Sequence, residues 1–431
     1  MSKTRPLRIA IVGGGPGGLT LAQGLLRQGL DVTVYEKSAV RDDYVQGFRL
    51  RIRERGIQAL RQCLPAPLYD AFEATVGSSP MASVQLDEQL RPLEHTASPP
   101  PLPGDVDDAH AGKSVSRITL RQVLLSGLDE AQLRIGAEFT SYAHQPDGSV
   151  RLLFADGATA EADVLVGADG ASSRVRQQLL PQARLFDTGG RRLAGKISLQ
   201  QADALGLPPL FFEKQIGIRP RHGRGHGLSI SAHRVDAAAQ RAHGLIGADD
   251  ASHAGIGGLH FNNTTSYLWW NTAFRKDELA PDEVLERASP HRLLELLEDH
   301  LRGWHPDLLS LLRHSHPSTV ALLKVRSSEP PDPWATGPVT LLGDAIHAMT
   351  YSRALGGNTA IQDAGVLARE LALAQRGDKP LLQALADYER EMREYGYAAV
   401  RLSLQALERS LGSVTEPVPR ATWRLPAALQ S

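Results

Sequence analysis

Cysteine is almost missing from this sequence, since Cys63 is the only one among 431 residues. One cysteine excludes an internal disulfide, and we interpret Cys63 as a small buried hydrophobic residue on a helix near residues 57–64. No apolar run approaches the length of a membrane span, and the N-terminus passes straight into the first predicted strand, without a visible signal peptide. These absences predict a cytoplasmic protein with no integral membrane segment.

An excess of charge of either sign is also missing. The chain has 47 Lys and Arg against 48 Asp and Glu, so its charge favours neither nucleic acid nor an anionic membrane as a partner. The sequence HSH at 314–316 has neither zinc-ligand spacing nor nearby cysteines, and the G-x-S-x-G pattern of serine hydrolases is absent. We therefore expect no metal, no nucleic acid and no serine hydrolase activity.

The N-terminal residues 7–37 carry the most informative pattern. A short apolar strand is followed by G-x-G-x-x-G at Gly13, Gly15 and Gly18, then by a helical pattern and a second strand that ends on Glu36. Gly13 permits a tight turn, Gly15 lets a pyrophosphate approach the backbone, and Gly18 lets the helix pack on the strand. The helix N-terminus attracts phosphate, and Glu36 can accept hydrogen bonds from a ribose. The pattern therefore predicts an adenine dinucleotide site.

Two further segments place glycine and aspartate after a buried strand. Residues 163–176 read DVLVGADGASSRVR, and residues 343–363 read GDAIHAMTYSRALGGNTAIQD. Open α/β sheets bind ligands at the ends of their strands, where Asp344 is expected. The glycine pair at 356–357 opens a helix whose N-terminus can take negative charge or a carbonyl group.

The rest of the sequence alternates between classes of structure. An irregular loop is predicted at 97–104, and strands are predicted at 158–166, 193–199, 210–218, 227–233, 258–262 and 266–274. Helices are predicted at 116–128, at 282–312 with an interruption near 304–306, at 358–373 and at 380–411. The order α/β, mostly β, α/β and α indicates a nucleotide-binding domain assembled from distant pieces of the chain.

In these motifs the chain resembles the single-component FAD-dependent aromatic hydroxylases, the family of p-hydroxybenzoate hydroxylase. VGGGPGGL with Glu36 matches the family's dinucleotide fingerprint, GADGASSRVR its Asp-Gly motif, and LLGDAIH with GGNTAIQDA its Gly-Asp motif. VSRITLRQVLL, with Arg117, matches the helix that supplies an arginine near the FAD phosphates. The resemblance covers roughly residues 5–410 and says little about the substrate, because residues 184–319 carry no recognisable motif.

The resemblance implies a fold and a division into domains. The fold class is α/β, with a Rossmann-type FAD-binding domain (GR2-like), an inserted antiparallel β-sheet substrate domain and C-terminal helices. The FAD-binding domain would comprise residues 1–70, 105–183 and 320–375. The substrate domain would comprise residues 71–104 and 184–319, and residues 376–431 would form a C-terminal helical segment and tail.

The implied activity is that of an oxidoreductase with tightly but non-covalently bound FAD. NADPH or NADH would be a transient co-substrate without a domain of its own, because the sequence has no second strand–GxGxxG–helix unit. A flavin hydroperoxide would insert one oxygen atom of O2 into a small aromatic or polycyclic organic substrate. Two alternatives stay open: an epoxidase, oxidative-rearrangement enzyme or oxidase on the same fold, and a redox-silent FAD-binding protein. The sequence is compatible with a monomer or a homodimer.

The resemblance also assigns roles to residues. Glu36 would hold the adenosine ribose and Asp344 the ribityl or pyrophosphate part of FAD. Asp169 and Arg174 would serve both FAD and NAD(P)H. Main-chain groups of Gly356, Gly357 and Asn358 would contact the isoalloxazine edge. The other implied cofactor-binding residues are Gly13, Gly15, Gly17, Gly18, Lys37, Arg49, Arg117, Gly170 and Gly343.

Two positions depart from the family pattern beside the flavin face on which oxygen reacts. Tyr351 stands in place of the usual proline, and Ala354 stands in place of the usual glycine. Tyr351 is therefore a candidate contact of the substrate or of oxygen. We interpret His347 as a support of the loop near FAD, and we assign no catalytic acid or base.

The predicted sheet offers further candidates for substrate contacts. Trp269 and Trp270 occupy adjacent strand positions and so point to opposite faces, which leads us to expect one of them to face the substrate. His260, Asn262 and Tyr267 are weaker candidates on the same sheet.

Overall fold

The computed structural model describes residues 5–38, 49–80, 82–93, 112–221, 227–236 and 266–411. The loop predicted at 97–104 and the strand predicted at 258–262, which contains the candidate His260, lie outside the described residues, as does Asn262.

A parallel sheet forms the first layer of the fold. Its described strands, from edge to edge, are β16 (Val339–Leu341), β10 (Val164–Gly167), β1 (Arg8–Val12), β2 (Asp31–Glu36) and β6 (Leu133–Ile135). Every neighbouring pair is parallel. The apolar, β-branched composition of the central strands fits burial on both faces. Because the strands are parallel, their carboxyl ends meet at one edge of the sheet.

The second large sheet is mostly antiparallel. Its described strands, in order, are β15 (Ala321–Ser328), β11 (Leu185–Ser198), β14 (Tyr267–Arg275), β13 (Gly227–His233), β12 (Gln215–Ile218) and β4 (Ser83–Leu86). Only β12 and β4 run parallel among these pairs.

The two faces of this second sheet differ in composition, because successive side chains of a strand point to opposite faces. We call one side the apolar face, which is defined by Leu193, Ile197, Leu268 and Trp270, all buried in a hydrophobic core. We call the other side the polar face, which is defined by Arg192, Lys196, Tyr267 and Trp269. This difference positions the site described below.

Two smaller sheets complete the strands. β3 (Arg49–Ile52) pairs with β5 (Lys113–Ser116) in an antiparallel ribbon. β7 (Phe139–His144), β8 (Val150–Phe154) and β9 (Thr159–Ala162) form an antiparallel sheet beside the parallel one.

Helices cover the sheets. They are α1 (Pro16–Arg27), α2 (Glu54–Cys63), α3 (Ala66–Ala74), α4 (Arg117–Leu125), α5 (Arg174–Leu179), α6 (Leu199–Ala204), α7 (Leu210–Glu213), α8 (Asp282–Arg287), α9 (Pro290–His300), α10 (Pro306–Arg313), α11 (Asp344–His347), α12 (Gly356–Arg376) and α13 (Leu381–Leu411). Cys63 ends α2 and is buried against Gly24 of α1. Burial raises the pKa of its thiol to about 12, so Cys63 behaves as a core residue.

Two hydrophobic cores separate the parts of the chain. One core joins the parallel sheet to α1, α2, α12 and α13, and thereby unites distant segments of the sequence. The other lies between the apolar face and the helices α8 to α10. This separation is compatible with the predicted domain boundaries, which stay a prediction.

The α/β fold class, with an inserted and largely antiparallel sheet and C-terminal helices, is confirmed. The strand predicted at 210–218 is wrong in its first half, where α7 forms instead. The carbonyl of Pro208 accepts the N–H of Phe211, and the Phe211 side chain is buried in the core. The prolines before α7 therefore favour a helical turn where apolar composition alone indicated a strand.

The single strand predicted at 158–166 is divided between two sheets. The break falls at Asp163, between β9 and β10. The Asp163 carboxylate accepts hydrogen bonds from the backbone N–H of Arg8 at 2.9 Å and from the guanidinium of Arg5 at 2.9 Å. These hydrogen bonds stabilise the break at Asp163, where the chain passes from the small antiparallel sheet into the parallel sheet.

Candidate cofactor and substrate site

The glycine turn after β1 combines close packing with open space. Gly13 has a φ of 115°, and a Cβ there would lie 2.3 Å from the carbonyl oxygen of Ala168. A Cβ on Gly18 would lie 2.3 Å from the carbonyl oxygen of Gly13. A Cβ on Gly15, by contrast, would meet nothing within 4 Å. The open approach to Gly15 fits a pyrophosphate at the N-terminus of α1.

Glu36 lies beside this turn at the end of β2. Its Oε2 accepts the backbone N–H of Gly14 at 2.7 Å, and its Oε1 accepts that of Ser38 at 2.9 Å. Each carboxylate oxygen keeps a second lone pair for a ribose hydroxyl. The next residue, Lys37, is exposed, and Gly17 packs within α1 against Leu342 rather than against open space.

Asp344 begins α11 at the far end of the sheet edge, after β16. Its side chain is accessible to solvent, yet the surrounding protein desolvates it. Burial raises the pKa of the carboxyl group, and the charges of His347 and Arg117 oppose that shift. Because the Asp344 carboxylate is accessible to solvent and yet surrounded by protein, it lies at the bottom of a cleft. Arg117 of α4 is close enough for its charge to act on this carboxylate.

A buried network holds this loop in place. The Asp363 carboxylate of α12 accepts hydrogen bonds from Gly343 N at 2.7 Å, His347 Nε2 at 2.7 Å and Tyr395 Oη at 2.6 Å. Burial opposes protonation of His347, but the charge and hydrogen bond of Asp363 outweigh it and raise the His347 pKa. A fully buried histidine that bonds to the loop backbone through Asp363 acts as a support, in agreement with its interpretation from sequence.

The N-terminus of α12 borders the same cleft. A Cβ on Gly356 would lie 3.7 Å from Asp344 Oδ1, and a Cβ on Gly357 would lie 3.1 Å from a methyl group of Leu50 on β3. The first N–H groups of a helix have no acceptor within it. These groups are therefore placed to bind a carbonyl or an anion next to Asp344.

Asn358 anchors the loop that leads into α12. Its Oδ1 accepts the N–H of Arg53 at 2.7 Å, and its Nδ2 donates to the carbonyls of Arg51 at 2.7 Å and Ala354 at 3.0 Å. Only the main chain of Asn358 is therefore free for a cofactor. Ala354 has a φ of 53° and Arg353 a φ of 72°. Glycine reaches this left-handed region without strain, which gives a physical reason for the usual glycine at position 354.

Tyr351 connects this loop with the polar face. The Arg192 guanidinium carbon lies 4.4 Å from the centroid of the Tyr351 ring and 5.4 Å from that of Trp269. On the other side, the Arg49 guanidinium carbon lies 5.7 Å from the Trp269 centroid. Since Arg49 and Leu50 are adjacent on β3, these contacts join α12, β3, the polar face and the loop after β16 into one continuous wall.

The adjacent tryptophans separate as the strand geometry predicts. Trp270 is fully buried on the apolar face, and its indole N–H donates to Ser315 Oγ at 2.6 Å. Trp270 is therefore corrected from a candidate substrate contact to a core residue. Trp269 is only partly buried and belongs to the wall, beside Arg49 and Arg192.

Cationic side chains lie on the polar face and on the adjacent strand β3. Burial lowers the pKa of both the Arg49 and the Arg192 guanidinium groups. Lys196 is buried with its Nζ 4.3 Å from the centroid of the Tyr267 ring, and burial lowers its pKa to about 7. The protein therefore holds these charges at a cost in solvation.

The Asp-Gly motif lies after β10, between the glycine turn and Asp344. Asp169 Oδ2 accepts the N–H of Arg174 at 2.8 Å, while its Oδ1 is buried without a partner among the described residues. The Arg174 guanidinium donates to the carbonyl of Phe139 at 2.7 Å and pairs with Glu138 at 2.8 Å. Glu138 therefore balances the Arg174 charge, and a role of Arg174 toward NAD(P)H stays a prediction. A Cβ on Gly170 would meet nothing within 4 Å.

Sequence reasoning missed three cationic residues of the site. Arg121 donates from Nε to the carbonyl of Gly14 at 3.0 Å and so braces the glycine turn. Arg192 and Lys196 are four residues apart on β11, a spacing that puts both on one face of a strand. That spacing was visible in the sequence, but only the pairing of Lys196 with Trp269 shows which face it is.

The residues at the sheet edge fit FAD. In the spatial order of the strands they are Asp344 after β16, Asp169 after β10, the Gly13–Gly15 turn after β1 and Glu36 on β2. Neighbouring strands lie about 4.8 Å apart, so the row from β16 to β2 spans roughly 14 Å. An elongated dinucleotide with its ribose at Glu36 and its pyrophosphate at Gly15 would reach Asp344 and the start of α12 with its other end.

Other classes of site find no support in the described part of the chain. Its helices include none long and apolar enough to cross a membrane. The same residues contain no group of three or more His, Cys, Asp or Glu side chains that could hold a metal ion.

Comparison with known proteins identifies the fold and its relatives. The family model of the FAD binding domain matches residues 7–191 and 233–403. The Dual O-methyltransferase/FAD-dependent monooxygenase elcB of Phaeosphaeria nodorum is 28% identical over 95% of this chain, which spans only 46% of that relative's length. The 3-amino-4-hydroxybenzoate 2-monooxygenase PtnB3 of Streptomyces platensis is 29% identical over 89% of this chain and 84% of its own.

A solved structure extends the likeness to nearly the whole chain. A Photorhabdus luminescens protein that carries the provisional name FAD containing monooxygenase superposes with a TM-score of 0.77 and 30% identity. The match covers 95% of this chain and 98% of that protein. The chain therefore belongs to the FAD binding domain family, among the p-hydroxybenzoate hydroxylase-like flavoproteins.

Proposed function

We propose that this chain is a FAD-dependent monooxygenase that uses NADPH or NADH to insert one oxygen atom of O2 into a small aromatic or polycyclic organic substrate. The observation that carries the proposal is the 4.4 Å contact between Arg192 and Tyr351. It joins the polar face to the loop between Asp344 and α12, where the flavin ring is expected. A molecule bound on the polar face would therefore lie beside the flavin.

The residues of the chain divide the work of binding. The glycine turn and Glu36 hold the adenosine end of FAD, and Asp344 with the α12 N-terminus holds the flavin end. Bound FAD supplies the hydride acceptance and the oxygen transfer. Tyr351 and Trp269 then cover the substrate side and exclude water from it. The name of the Streptomyces relative specifies an aromatic substrate, which supports the proposed substrate class.

Three measurements on the purified protein test the proposal. We expect about one non-covalent FAD per chain, released by heat or acid, because the sequence carries no visible flavin attachment signal. A panel of aromatic compounds should contain at least one that accelerates NADPH or NADH consumption. Oxygen from labelled O2 should then appear in the product. Peroxide without labelled product would indicate an oxidase. An epoxide or a rearranged product would indicate an epoxidase or an oxidative-rearrangement enzyme on the same fold. A flavin that NAD(P)H never reduces would indicate a redox-silent FAD-binding protein.

Glu36→Ala and Asp344→Ala test the placement of FAD. Each removes a charged acceptor worth roughly 1.5–3 kcal/mol, so we expect FAD to bind about 10- to 100-fold more weakly. The matched control is Asp299→Ala, which removes a carboxylate with 64% exposure far from the sheet edge in sequence. Unchanged FAD affinity in both test variants would contradict the assignment of this edge to the cofactor.

A further inference from the structure

We propose that a buried ion pair, the His347 imidazolium and the Asp363 carboxylate, sets the reduction potential of bound FAD, with the positive member of the pair toward the flavin end of the cleft. His347 then acts on the flavin through its charge, in addition to supporting the loop. The inference rests on the placement of FAD in the proposed function, where Asp344 and the α12 N-terminus hold the flavin end.

The first observation is a buried carboxylate that the fold surrounds with hydrogen-bond donors. Asp363 is fully buried, and its Oδ2 accepts hydrogen bonds from His347 Nε2 and from the backbone N–H of Gly343, each at 2.7 Å. Its Oδ1 accepts the hydroxyl of Tyr395 at 2.6 Å. Hydrogen bonds to a carboxylate favour its charged form, and a buried anion is costly without a cation beside it. His347 is the base in direct contact with this anion.

The second observation is that the C-terminal helix α13 fixes both members of the pair. A Cβ on Gly396 would lie 2.8 Å from His347 Cδ2 and 3.3 Å from its Cγ. Any side chain at position 396 would therefore displace the imidazole ring. The preceding residue, Tyr395, donates to Asp363. The imidazole is thus held in one orientation, as a fixed charge beside a cofactor requires.

The third observation gives the pair its direction. His347 and Asp344 are three residues apart on α11, a spacing that makes side chains neighbours, whereas Asp363 belongs to α12. Burial raises the pKa of the Asp344 carboxyl group, and the charge of His347 opposes this rise more strongly than the charge of Asp363 adds to it. The positive member of the pair therefore dominates at Asp344, where the flavin end is expected.

The charge of His347 follows from its partners. Burial disfavours the imidazolium, but the charge and hydrogen bond of Asp363, together with the charge of Asp344, outweigh burial and raise the His347 pKa. Arg176 of α5 adds positive charge to the same loop, since its guanidinium donates to the carbonyl of Ala345 at 3.0 Å. The other titratable groups that act on Asp344 or Asp363 are Arg117 of α4 and the three buried tyrosines of α13, whose pKa values burial raises so that they stay neutral: Tyr388, Tyr395 and Tyr397.

A fixed positive charge at this place has a defined effect on FAD. Reduction adds negative charge to the flavin ring, and charge near the ring nitrogens is one means by which a protein tunes a flavin. The His347 imidazolium therefore stabilises the reduced form relative to the oxidised form. Loss of this charge should lower the reduction potential and leave the binding of oxidised FAD nearly unchanged.

The test measures the reduction potential of the FAD-loaded protein against a reference dye near pH 8, without substrate, O2 or NADPH. His347→Gln keeps an N–H donor for Asp363 and removes the charge. We expect the ratio of reduced to oxidised flavin at a fixed potential to fall about 10-fold, which is about 30 mV for a two-electron couple. Oxidised FAD should bind within about 3-fold of the parent affinity. The matched control His291→Gln removes an exposed imidazole on α9 and should leave the potential unchanged.

A double variant separates charge from loop structure. His347→Gln leaves the Asp363 carboxylate without its cation, whereas the combination of His347→Gln with Asp363→Asn removes both charges. We therefore expect the double variant to recover about 3-fold of the 10-fold loss, although it disturbs the network at two positions. A role of His347 as a structural support alone predicts no recovery.

Several outcomes would overturn the inference. One is a His347→Gln variant with the parent's potential, and another is a fall in potential that the double variant does not recover. If His347→Gln does not retain FAD, NMR of the FAD-loaded parent with isotope-labelled histidine decides. Near pH 8 one buried imidazole should keep both ring protons while exposed histidines are neutral, and the absence of such an imidazole would contradict the ion pair.

These measurements are independent of oxygenation. A protein that oxygenates an aromatic compound but shows no shift of potential in His347→Gln would contradict only this inference. A protein that shows the shift and its recovery but oxygenates nothing would contradict only the proposed function.

Discussion

Arg191 and Arg192 are neighbours on β11, yet their side chains enter opposite environments. Arg191 is fully buried and donates from Nε and Nη2 to Asp282 at 2.7 and 2.6 Å, and from Nη1 and Nη2 to Asp187 at 2.8 Å. The hydrogen bond to Asp282 raises the Arg191 pKa. Arg192 lies against Tyr351 and Trp269, and burial lowers its pKa. Within the described part of the chain, two carboxylates balance Arg191, whereas no acid balances Arg192.

The same contrast separates the two faces of the whole sheet. The apolar face packs on α8 to α10 in a hydrophobic core. The indole N–H of Trp270 on this face donates to Ser315, whereas the buried Thr272 hydroxyl has no partner among the described residues. The polar face keeps unpartnered atoms and desolvated cations among the described residues. One face stabilises the domain, while the other keeps groups that lower stability, as functional sites commonly do.

The largest expected effect comes from removing the balanced arginine. Arg191→Met leaves Asp282 and Asp187 without their partner, so we expect the free energy of unfolding to fall by about 3 kcal/mol or more. Arg192→Met removes a cation that pairs with no acid among the residues that the structure describes, and we expect a change within about 1 kcal/mol. Urea denaturation of the two variants measures this difference. Equal losses of unfolding free energy in the two variants would contradict the difference between the two faces.

The second prediction concerns the pH dependence that Lys196 contributes. Its pKa is about 7 in the folded protein against an ordinary value of 10.5, so between these values the unfolded chain holds a proton that the folded one lacks. Stability from this group therefore rises with pH, by up to about 1.4 kcal/mol per unit. The Lys196 ammonium lies over the Tyr267 ring, and its charge, together with that of Arg49, helps to lower the pKa of His233.

Comparison with Lys196→Met isolates that contribution. We expect the parent to gain stability relative to the variant as the pH rises from near neutral toward 9, measured by urea denaturation at each pH. Tyrosine and cysteine titrations cancel because both proteins contain them. A difference that stays constant over this range would show that Lys196 is not desolvated.

The part of the site that could be predicted from sequence depends on local sequence patterns. The glycine turn, Glu36 and Asp344 follow from a strand, a turn and a helix in succession, because parallel strands bring their ends to one edge regardless of the remaining fold. Gly13 and Gly15 show why: one is packed against backbone and the other opens to space. Such local steric requirements determine which residue types can occupy these positions, so they can be recognised in the sequence.

The polar face could not be predicted in the same way, because it depends on contacts between distant segments. The alternation of Trp269 and Trp270 gave opposite faces but not which face was the core, since that depends on where α8 to α10 pack. Arg192 reaches Tyr351 only through the register of β11 with its neighbours. Arg174 shows the converse, because a motif implied a coenzyme contact while the fold pairs its guanidinium with Glu138.

The third prediction separates the two roles of Tyr351. Tyr351 has a φ of −66°, which proline can adopt, so Tyr351→Pro should retain FAD. It loses the ring beneath Arg192, and a cation–π contact of this kind is worth about 0.5–2 kcal/mol. We expect a few-fold rise in the fraction of reduced flavin that ends as hydrogen peroxide, together with weaker binding of an aromatic substrate.

Tyr351→Phe is the matched control, because it keeps the ring and removes only the hydroxyl. It should behave like the parent in peroxide yield and in substrate-stimulated reduction by NADPH. If Tyr351→Pro also matches the parent in both measurements, the ring beneath Arg192 has no part in substrate binding.

The smallest expected effect is at Ala354, which holds the loop that presents Tyr351. Its φ of 53° is strained for alanine, so Ala354→Gly should raise the free energy of unfolding by up to about 1 kcal/mol, less the added entropy of glycine. Thermal denaturation of the FAD-loaded protein measures this change. Ala354→Val should be less stable, and a glycine variant no better than valine would contradict the strained geometry.

The most direct test of ligand binding on the polar face is a crystal structure of the FAD-loaded protein with an aromatic compound that accelerates its NADPH or NADH consumption. We predict the aromatic ring of this compound between Trp269 and the flavin. Binding of the compound elsewhere, with the polar face closed by protein side chains, would contradict the distinction between the two faces of the sheet.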